Sequence, residues 1–428
     1  MNEAAPPSGA HLSRRAILTG AASLAVAPAL PQRNANDRIG VAMIGVGTRG
    51  IYLLDRVQEC PNTEVRIICD LYDGNLKRAS QRAQKAVLTK EWEKAVTSPD
   101  VDAVFIATPD FWHAPIAVAA ARAKKHVYVE KALCRTLDEA KAIRQAVREN
   151  KVVLQLGHHQ NSDPYFVKAR EIFRAGQLGK TVLARTYIDR TSAWPEWQFY
   201  TAYDIQQRPA DANERTIDWK RFIANAPAIP FDAERFFRWR CWWEYGTGIA
   251  GDLMSHQWDG VNMIMGMGIP EAVQTMGGLY FWKQDREVPD QWHVSFEYPK
   301  QELNVLFSNT FHSRHSGTGT YILGRDAALE VSTNWCRVFE GEWKPKYASQ
   351  IWEMESRGQT PPPVYSMKKG ELEVSSHMRN FIDCLRTGET PRCGMDRAWE
   401  EAVTVVMSVE AYRRERKVRW DAASEQIV

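Results

Sequence analysis

Residues 39–70 constrain the fold of this chain more than any other stretch. They read IGVAMIGVGTRGIYLLDRVQECPNTEVRIICD. The apolar run Ile39 to Ile44 leads into Gly45-x-Gly47-x-x-Gly50. Ile51, Leu54 and Val57 follow at helical spacing, and a second apolar run, Val65 to Cys69, ends in Asp70. Strand, glycine turn, helix, strand, acidic residue is the order of a dinucleotide-binding unit. Gly45 permits the tight turn, Gly47 lets backbone approach a pyrophosphate, and Gly50 lets the helix pack close on the strand. Thr48 and Arg49 stand at the helix start, whose free N–H groups and partial positive charge suit phosphate. Asp70 places a carboxylate where both hydroxyls of an adenosine ribose can donate to it. It repels a 2′-phosphate and no arginine follows it directly, which favours NAD over NADP.

Strand and helix patterns keep alternating as far as residue 157. Gly74 to Ala86 reads as a polar helix and Glu91 to Val96 as a short one. The buried run Val101 to Ala107 ends in Thr108-Pro109, followed by His113 and an alanine-rich helix over 114–123. His126 to Val129 is a short strand ending in Glu130-Lys131. Leu137 to Glu149 reads as a helix, and Val152 to Leu156 as a strand running into Gly157-His158-His159. Such alternation builds a parallel sheet, and ligands then bind at the carboxyl ends of its strands. Gly45, Asp70, Thr108, Lys131 and His158 all fall at those ends. Thr108 and Pro109 are expected to border the nicotinamide ribose, with His113 nearby.

After Gly157 the pattern changes. Thr181 to Tyr187, Ala272 to Phe281, Trp292 to Tyr298, Leu303 to Asn309 and Gly319 to Leu323 alternate in polarity. They predict a largely antiparallel open sheet with one covered face. The irregular stretch from Trp194 to Tyr245 holds six tryptophans, at 194, 197, 219, 239, 242 and 243. Stacking on a pyranose and packing of a long excursion both fit them. Ser375 to Arg386 and Asp396 to Arg413 read as closing helices. The fold class expected is an α/β Rossmann domain over 36–157, then an α+β domain over 158–374, then closing helices over 375–428.

Composition narrows the function. A length of 428 residues fits two domains, and 44% hydrophobic with 25% charged residues is ordinary for a globular chain. A net charge of +3 gives no case for nucleic acid. No apolar run after residue 30 reaches the length of a membrane span, so no membrane anchor is expected. The seven cysteines form no CxxC pair or metal-ligand spacing, and no metal site is assigned. Near the start, Ser13-Arg14-Arg15-Ala16-Ile17-Leu18 precedes a mild apolar stretch and small-residue cleavage sites around Ala25 to Ala29. This reads as a twin-arginine export signal over residues 1–35 and implies a periplasmic location. A periplasmic enzyme has no cytoplasmic NAD pool to draw on, so its cofactor would have to stay bound and be restored in each cycle.

The motifs GVGTRG (45–50), ATPDFWH (107–113), EKA (130–132), GHHQ (157–160) and GDLMSH (251–256) resemble those of the Gfo/Idh/MocA oxidoreductases. That family is named for glucose-fructose oxidoreductase and inositol dehydrogenase. The resemblance runs from Ile39 to Asp421, and the exported, tryptophan-rich form looks like the periplasmic branch. It implies a sugar or polyol substrate and a homodimer or homotetramer formed through the open sheet. Lys131 matches the family lysine that bonds the reacting hydroxyl beside the nicotinamide, with Glu130 preceding it. Asp252 and His256 match its D-x3-H pair. This spacing puts both on one face of a helix expected over Ala250 to Met265. His256 then serves as general base, and Asp252 orients it or touches substrate. The family's proline after the lysine is Ala132 here. A cis bond before a residue other than proline costs ~2.5–4 kcal/mol, so a trans Lys131–Ala132 bond is expected unless the site insists on cis.

These residues predict an NAD-dependent oxidoreductase acting on a sugar or glycoside hydroxyl by hydride transfer. One alternative is a redox-neutral glycosidase, which oxidises a ring carbon, eliminates the aglycone, adds water and reduces the ring again. It needs a further base, for which His158, His159 and Tyr187 are the candidates. Another is a noncatalytic sugar-binding protein, against which the retained Lys131, Asp252 and His256 argue.

Overall fold

The computed structural model of the chain describes residues 38–191, 195–197, 208–341 and 345–428. The expected leader over 1–35 and Trp194 lie outside the described residues. The first unit runs β1 (Ile39–Ile44), α1 (Thr48–Gln58), β2 (Thr63–Cys69), α2 (Asp73–Ser80), β3 (Val87–Thr89) and α3 (Trp92–Thr97). It continues with β4 (Ala103–Ile106), α4 (His113–Arg122), β5 (His126–Val129), α5 (Leu137–Asn150) and β6 (Leu154–Leu156). The strands pair in parallel in the order β3-β2-β1-β4-β5-β6. The order reverses between β1 and β4, which opens a ligand crevice at their carboxyl ends.

The apolar run of β1 serves two cores. Val41 and Met43 join one buried cluster, and Ala42 and Ile44 the other, because successive strand side chains point to opposite faces. The polar helix after Asp70 stops at Ser80 rather than Ala86. The residues beyond it supply an edge strand, β3, that periodicity did not announce.

The second unit contains α6 (Pro164–Arg174), β7 (Thr181–Asp189), α7 (Trp219–Phe222), α8 (Ala233–Phe237) and α9 (Ser255–Met265). A π-helical turn, Ala250–Met254, leads into α9. Then come β8 (Ala272–Gly278), β9 (Gln291–Tyr298), β10 (Leu303–Thr310), β11 (Thr318–Gly324), β12 (Ala327–Ser332) and β13 (Trp335–Glu340). The chain closes with α10 (Pro345–Ser356), β14 (Tyr365–Ser366), α11 (His377–Thr387), α12 (Met395–Arg413), β15 (Val418–Asp421) and β16 (Gln426–Ile427). The sheet order is β14-β13-β12-β11-β7-β10-β9-β8-β15-β16. Its pairings are antiparallel except that of β7 with β10. The largely antiparallel expectation therefore holds. The single parallel pairing follows from the long connection between those two strands, since a tight hairpin joins only antiparallel neighbours.

The chain end returns to the first unit. Met378, Phe381, Ile382 and Leu385 of α11 join the core beneath β1 and α1. Gln155 donates to the His377 carbonyl at 2.8 Å. All seven cysteines are buried and unpaired.

One local expectation is corrected. The Lys131–Ala132 peptide is cis, not trans. Ala132 is fully buried, its carbonyl faces His113 Nδ1 at 2.7 Å, and its methyl packs against the π turn at Gly251. Ala132 is thus enclosed on its His113 side and on its Gly251 side.

Two core histidines make stability depend on pH. Burial pushes both His126 and His377 down to about 4. His126 Nδ1 accepts from the Val153 N–H at 3.0 Å, a bond that requires an unprotonated nitrogen. Below about pH 6.5 the unfolded chain binds these protons while the folded chain does not, so stability falls as pH drops toward 4. Denaturant melts at pH 7 and pH 5 should show a loss of at least about 2 kcal/mol at the lower pH, and His377→Gln should flatten the profile.

Candidate functional site

The glycine turn takes the form its sequence requires. Gly45 has φ of +85°, and a Cβ there would lie 2.6 Å from the Ala107 carbonyl oxygen. A Cβ on Gly50 would lie 1.9 Å from the Gly45 carbonyl oxygen, so only glycine lets α1 start this close to the turn. Gly47 is different. The nearest neighbour to a Cβ there is Asn75 Nδ2 at 3.9 Å, so its environment is open on the side where a phosphate would approach.

Asp70 ends β2 as expected and has a second job. It accepts from the Val46 N–H at 2.8 Å, the Tyr72 N–H at 2.9 Å and Asn75 Nδ2 at 3.1 Å. The first of these bonds ties the glycine turn to the end of β2. Burial pushes the Asp70 carboxyl above its ordinary value, against the lowering effect of the Tyr72 and Val46 N–H groups.

A cavity of about 680 Å³ lies along these strand ends. Asp70 and Asn75 line one end of it. Gly45, Gly47, Thr48 and Arg49 line its floor, with Thr108 and Pro109 beyond. Glu130, Lys131, His159, Asp252 and His256 line the other end. Thr108 lines this wall, and its Oγ1 is a buried hydroxyl with no partner among the described residues. Arg49 pairs with the buried Glu130 at 2.7 Å and so links the turn to β5. An open glycine, a carboxylate at the end of β2, an orphaned hydroxyl and a groove of this length together fit a dinucleotide.

The catalytic candidates meet at the far end. Lys131 Nζ donates to Asp252 Oδ1 at 2.6 Å and to the Asp252 carbonyl at 2.9 Å. Arg240 Nε donates to the same Oδ1 at 3.1 Å, and Trp197 Nε1 to Oδ2 at 2.9 Å. Burial alone would push the Asp252 carboxyl up. The adjacent Lys131 and Arg240 overcome that and hold it well below the usual carboxylate range. Asp252 and His256 share the cavity face, as their spacing predicts, but no hydrogen bond joins them. Asp252 orients Lys131 instead.

His256 Nδ1 is buried without a partner among the described residues, and the rings of His158 and His159 meet the His256 ring edge-on at 5.2 and 5.6 Å. Burial, then Lys131, pushes His256 well below its ordinary value. It is therefore a neutral imidazole at working pH, the form that accepts a proton.

The other sequence candidates separate. Gly50 is buried beneath the turn. His113 is fully buried and bridges two carbonyls, those of Ala132 at 2.7 Å and Thr108 at 3.0 Å. It positions the cavity wall without lining it. His158 is fully buried against Glu401 at 3.4 Å. Tyr187 stacks on Tyr321 on the sheet's outer face. Of the three bases proposed for the glycosidase, His159 alone lines the cavity.

The tryptophans divide too. Trp219 stacks on Phe222, and Trp243 packs near Trp292 and Tyr412. Trp197 and Trp239 line the cavity, and the Arg240 guanidinium lies over the Trp239 ring at 4.2 Å. Arg240 and Trp197 as Asp252 partners were not legible in advance; the only signal was the density of aromatic residues around them.

Comparison with known proteins agrees with this architecture. Residues 39–158 match a family model described as an oxidoreductase family, NAD-binding Rossmann fold. Residues 219–419 match its companion, the C-terminal alpha/beta domain of the same family. Levoglucosan dehydrogenase of Pseudarthrobacter phenanthrenivorans is 33% identical over 140 residues, covering 32% of this chain and 36% of that protein. The scyllo-inositol 2-dehydrogenase (NAD(+)) of Bacillus subtilis is 30% identical over 162 residues, covering 37% and 46%. The alignments thus span less than half the length of these relatives. Among solved structures, levoglucosan dehydrogenase in complex with NADH and levoglucosan superposes with a TM-score of 0.63 at 19% identity, over 90% of this chain and 99% of that one. The aldose-aldose oxidoreductase from Caulobacter crescentus gives 0.65 at 18%, over 89% and 99%. At such identities the likeness establishes the fold.

The two glycines give a clean contrast. Gly50→Ala should cost about 3 kcal/mol of stability through its clash with the turn. Gly47→Ala should change stability by less than about 1 kcal/mol yet weaken NADH binding at least about tenfold. Denaturation and NADH fluorescence titration check the pair.

Proposed function

Because the chain belongs to the Gfo/Idh/MocA oxidoreductase family, whose first domain binds NAD, we propose that it oxidises and reduces a hydroxyl-bearing carbon of a sugar or glycoside. The observation that carries this reading is the end of the cavity where Lys131, Asp252 and a neutral His256 converge beside the glycine turn's groove. Bound NAD would supply the hydride acceptor at C4 of its nicotinamide. The chain's own residues do the rest. Lys131, held by Asp252, donates to the substrate hydroxyl and favours the developing alkoxide. His256 takes the hydroxyl proton, and its depressed basicity keeps it unprotonated before the reaction. Arg240 and Trp197 keep the Asp252 carboxylate in place, and Trp239 offers an aromatic face to a pyranose.

The proposal extends to setting. The arginine pair near the chain start supports export, and export in turn requires that the cofactor remain bound through the cycle. Turnover is then an exchange of hydride between two sugars. Exposed apolar side chains on the open sheet, Val182, Met276 and Leu306, support pairing of copies into a dimer or tetramer. The relatives named above carry dehydrogenase or oxidoreductase names, and the single glycosidase base left on the cavity wall gives that alternative no added support.

Lys131→Ala and His256→Ala should each lower kcat/KM on a responsive sugar by about 10²–10⁴-fold while NADH still binds. Near-full activity in either variant would place the chemistry elsewhere. Protein purified without added cofactor should release close to one NAD(H) per chain on denaturation, and empty protein would contradict the retained cofactor.

A further inference from the structure

The end of the cavity far from Lys131 has walls that a Rossmann domain does not itself supply. Asp70, Leu71 and Asn75 line it from the first unit, as do Trp92 and Trp112. The opposite wall comes from residues 208–245 of the second unit, through Arg221, Phe222, Phe236 and Phe237. This segment is tied down over the end of β2. Ile217 pairs with Tyr72 in an antiparallel bridge. The Asp218 N–H donates to the Leu71 carbonyl at 2.9 Å, and the Asp73 N–H donates to the Thr216 carbonyl at 3.0 Å. Tyr72 Oη donates to Asp211 Oδ1 at 2.5 Å, and Trp112 Nε1 to the Phe222 carbonyl at 3.0 Å.

The rings here form one packed group. Phe237 meets Tyr72 edge-on at 5.3 Å, Phe236 packs on Phe222 at 5.0 Å, and Trp92 lies 6.4 Å from Trp112. Phe222 is buried, while Phe236, Phe237 and Trp92 are half-buried and turn part of their surface to the cavity. Arg221 is held at the rim by Glu93 at 3.3 Å and Asp218 at 3.4 Å.

We infer that residues 208–245 are a strap that completes an adenine-binding subsite, with Phe236 and Phe237 as its roof against Leu71, Trp92 and Trp112. The inference rests on the reading of the cavity as an NAD site and deepens it. Asp70 places the adenosine ribose at this end, so the attached base has to lie in the aromatic part of the groove. A flat purine suits such walls, since aromatic side chains stack on any base face. The backbone tethers to Leu71 and Asp73 make the roof part of the nucleotide-binding domain, although it comes from a segment more than 130 residues downstream. The base leaves when the strap lifts, so the same contacts that bind adenine slow cofactor release. This is a physical means of cofactor retention within the folded part of the chain.

The test uses the full-length chain freed of any cofactor it retains, with ADP-ribose and nicotinamide mononucleotide as separate probes of the two halves of the groove. The double variant Phe236→Ala/Phe237→Ala should raise the ADP-ribose Kd about tenfold, leave the mononucleotide Kd unchanged, and speed NADH release by a similar factor. An unchanged ADP-ribose Kd overturns the subsite. Tyr72→Phe removes the bond to Asp211 and keeps the ring packed; it should also speed NADH release. Should the double variant fail to fold, an unchanged release rate in Tyr72→Phe overturns the strap. Wild-type protein that binds neither probe overturns the NAD reading itself and this inference with it. Sugar oxidation does not enter the readout, so an error in the substrate class leaves this test intact.

Discussion

The Asp252 carboxylate is the contact on which the site depends. It sits at the start of the second domain's central helix and receives Lys131 from the end of β5 in the first domain, together with Arg240 and the Trp197 indole. A carboxylate with this little access to water is costly unless its partners are close and well aligned. Here they are, and the result joins the two domains at the point where the reacting carbon would lie. The π turn at Ala250–Met254 brings Asp252 to that point, and Gly251 lets the turn press against Ala132. The lysine, the unusual peptide that follows it and the helix that meets it are therefore one mechanical unit.

The same arrangement supports the division of work proposed for Lys131 and His256. Lys131 is fixed by a carboxylate. Among the described residues His256 has no such partner on Nδ1, and it stands among other histidines in a buried setting that disfavours its charge. In the proposed reaction one group would be held as a donor and the other kept empty as an acceptor, the separation that acid–base work on a hydroxyl needs.

Much of this was legible in the sequence, for definite reasons. Gly45, Gly47, Gly50 and Asp70 define the first domain because each position has a steric or charge demand that few residues meet. The alternation of β7 to β11 was readable because one face of that sheet is covered. The D-x3-H spacing placed Asp252 and His256 on one face correctly, but a helical spacing cannot say which neighbour a carboxylate chooses. Lys131 comes from 121 residues away, and no local pattern encodes that choice. The Lys131–Ala132 geometry was expected to be trans because the intrinsic preference is strong, and the close surroundings at His113 and Gly251 were invisible in the sequence. His158 and Tyr187 stood in suggestive places, yet each depends on a single rotational phase, one turning into the core and the other onto the outer sheet face. The tryptophan-rich excursion showed its density but not its destination, since its contacts with Tyr72 and Trp112 are tertiary.

The measurement that bears most directly on the central claim is isotope transfer in a single turnover. The chain is loaded with NAD⁺, mixed with sugars deuterated at their ring carbons, quenched, and its cofactor examined by mass spectrometry. The account predicts deuterium at C4 of the nicotinamide with a responsive sugar, and none when Lys131 is replaced by alanine. A sugar product formed without label on the cofactor would contradict hydride transfer at this site.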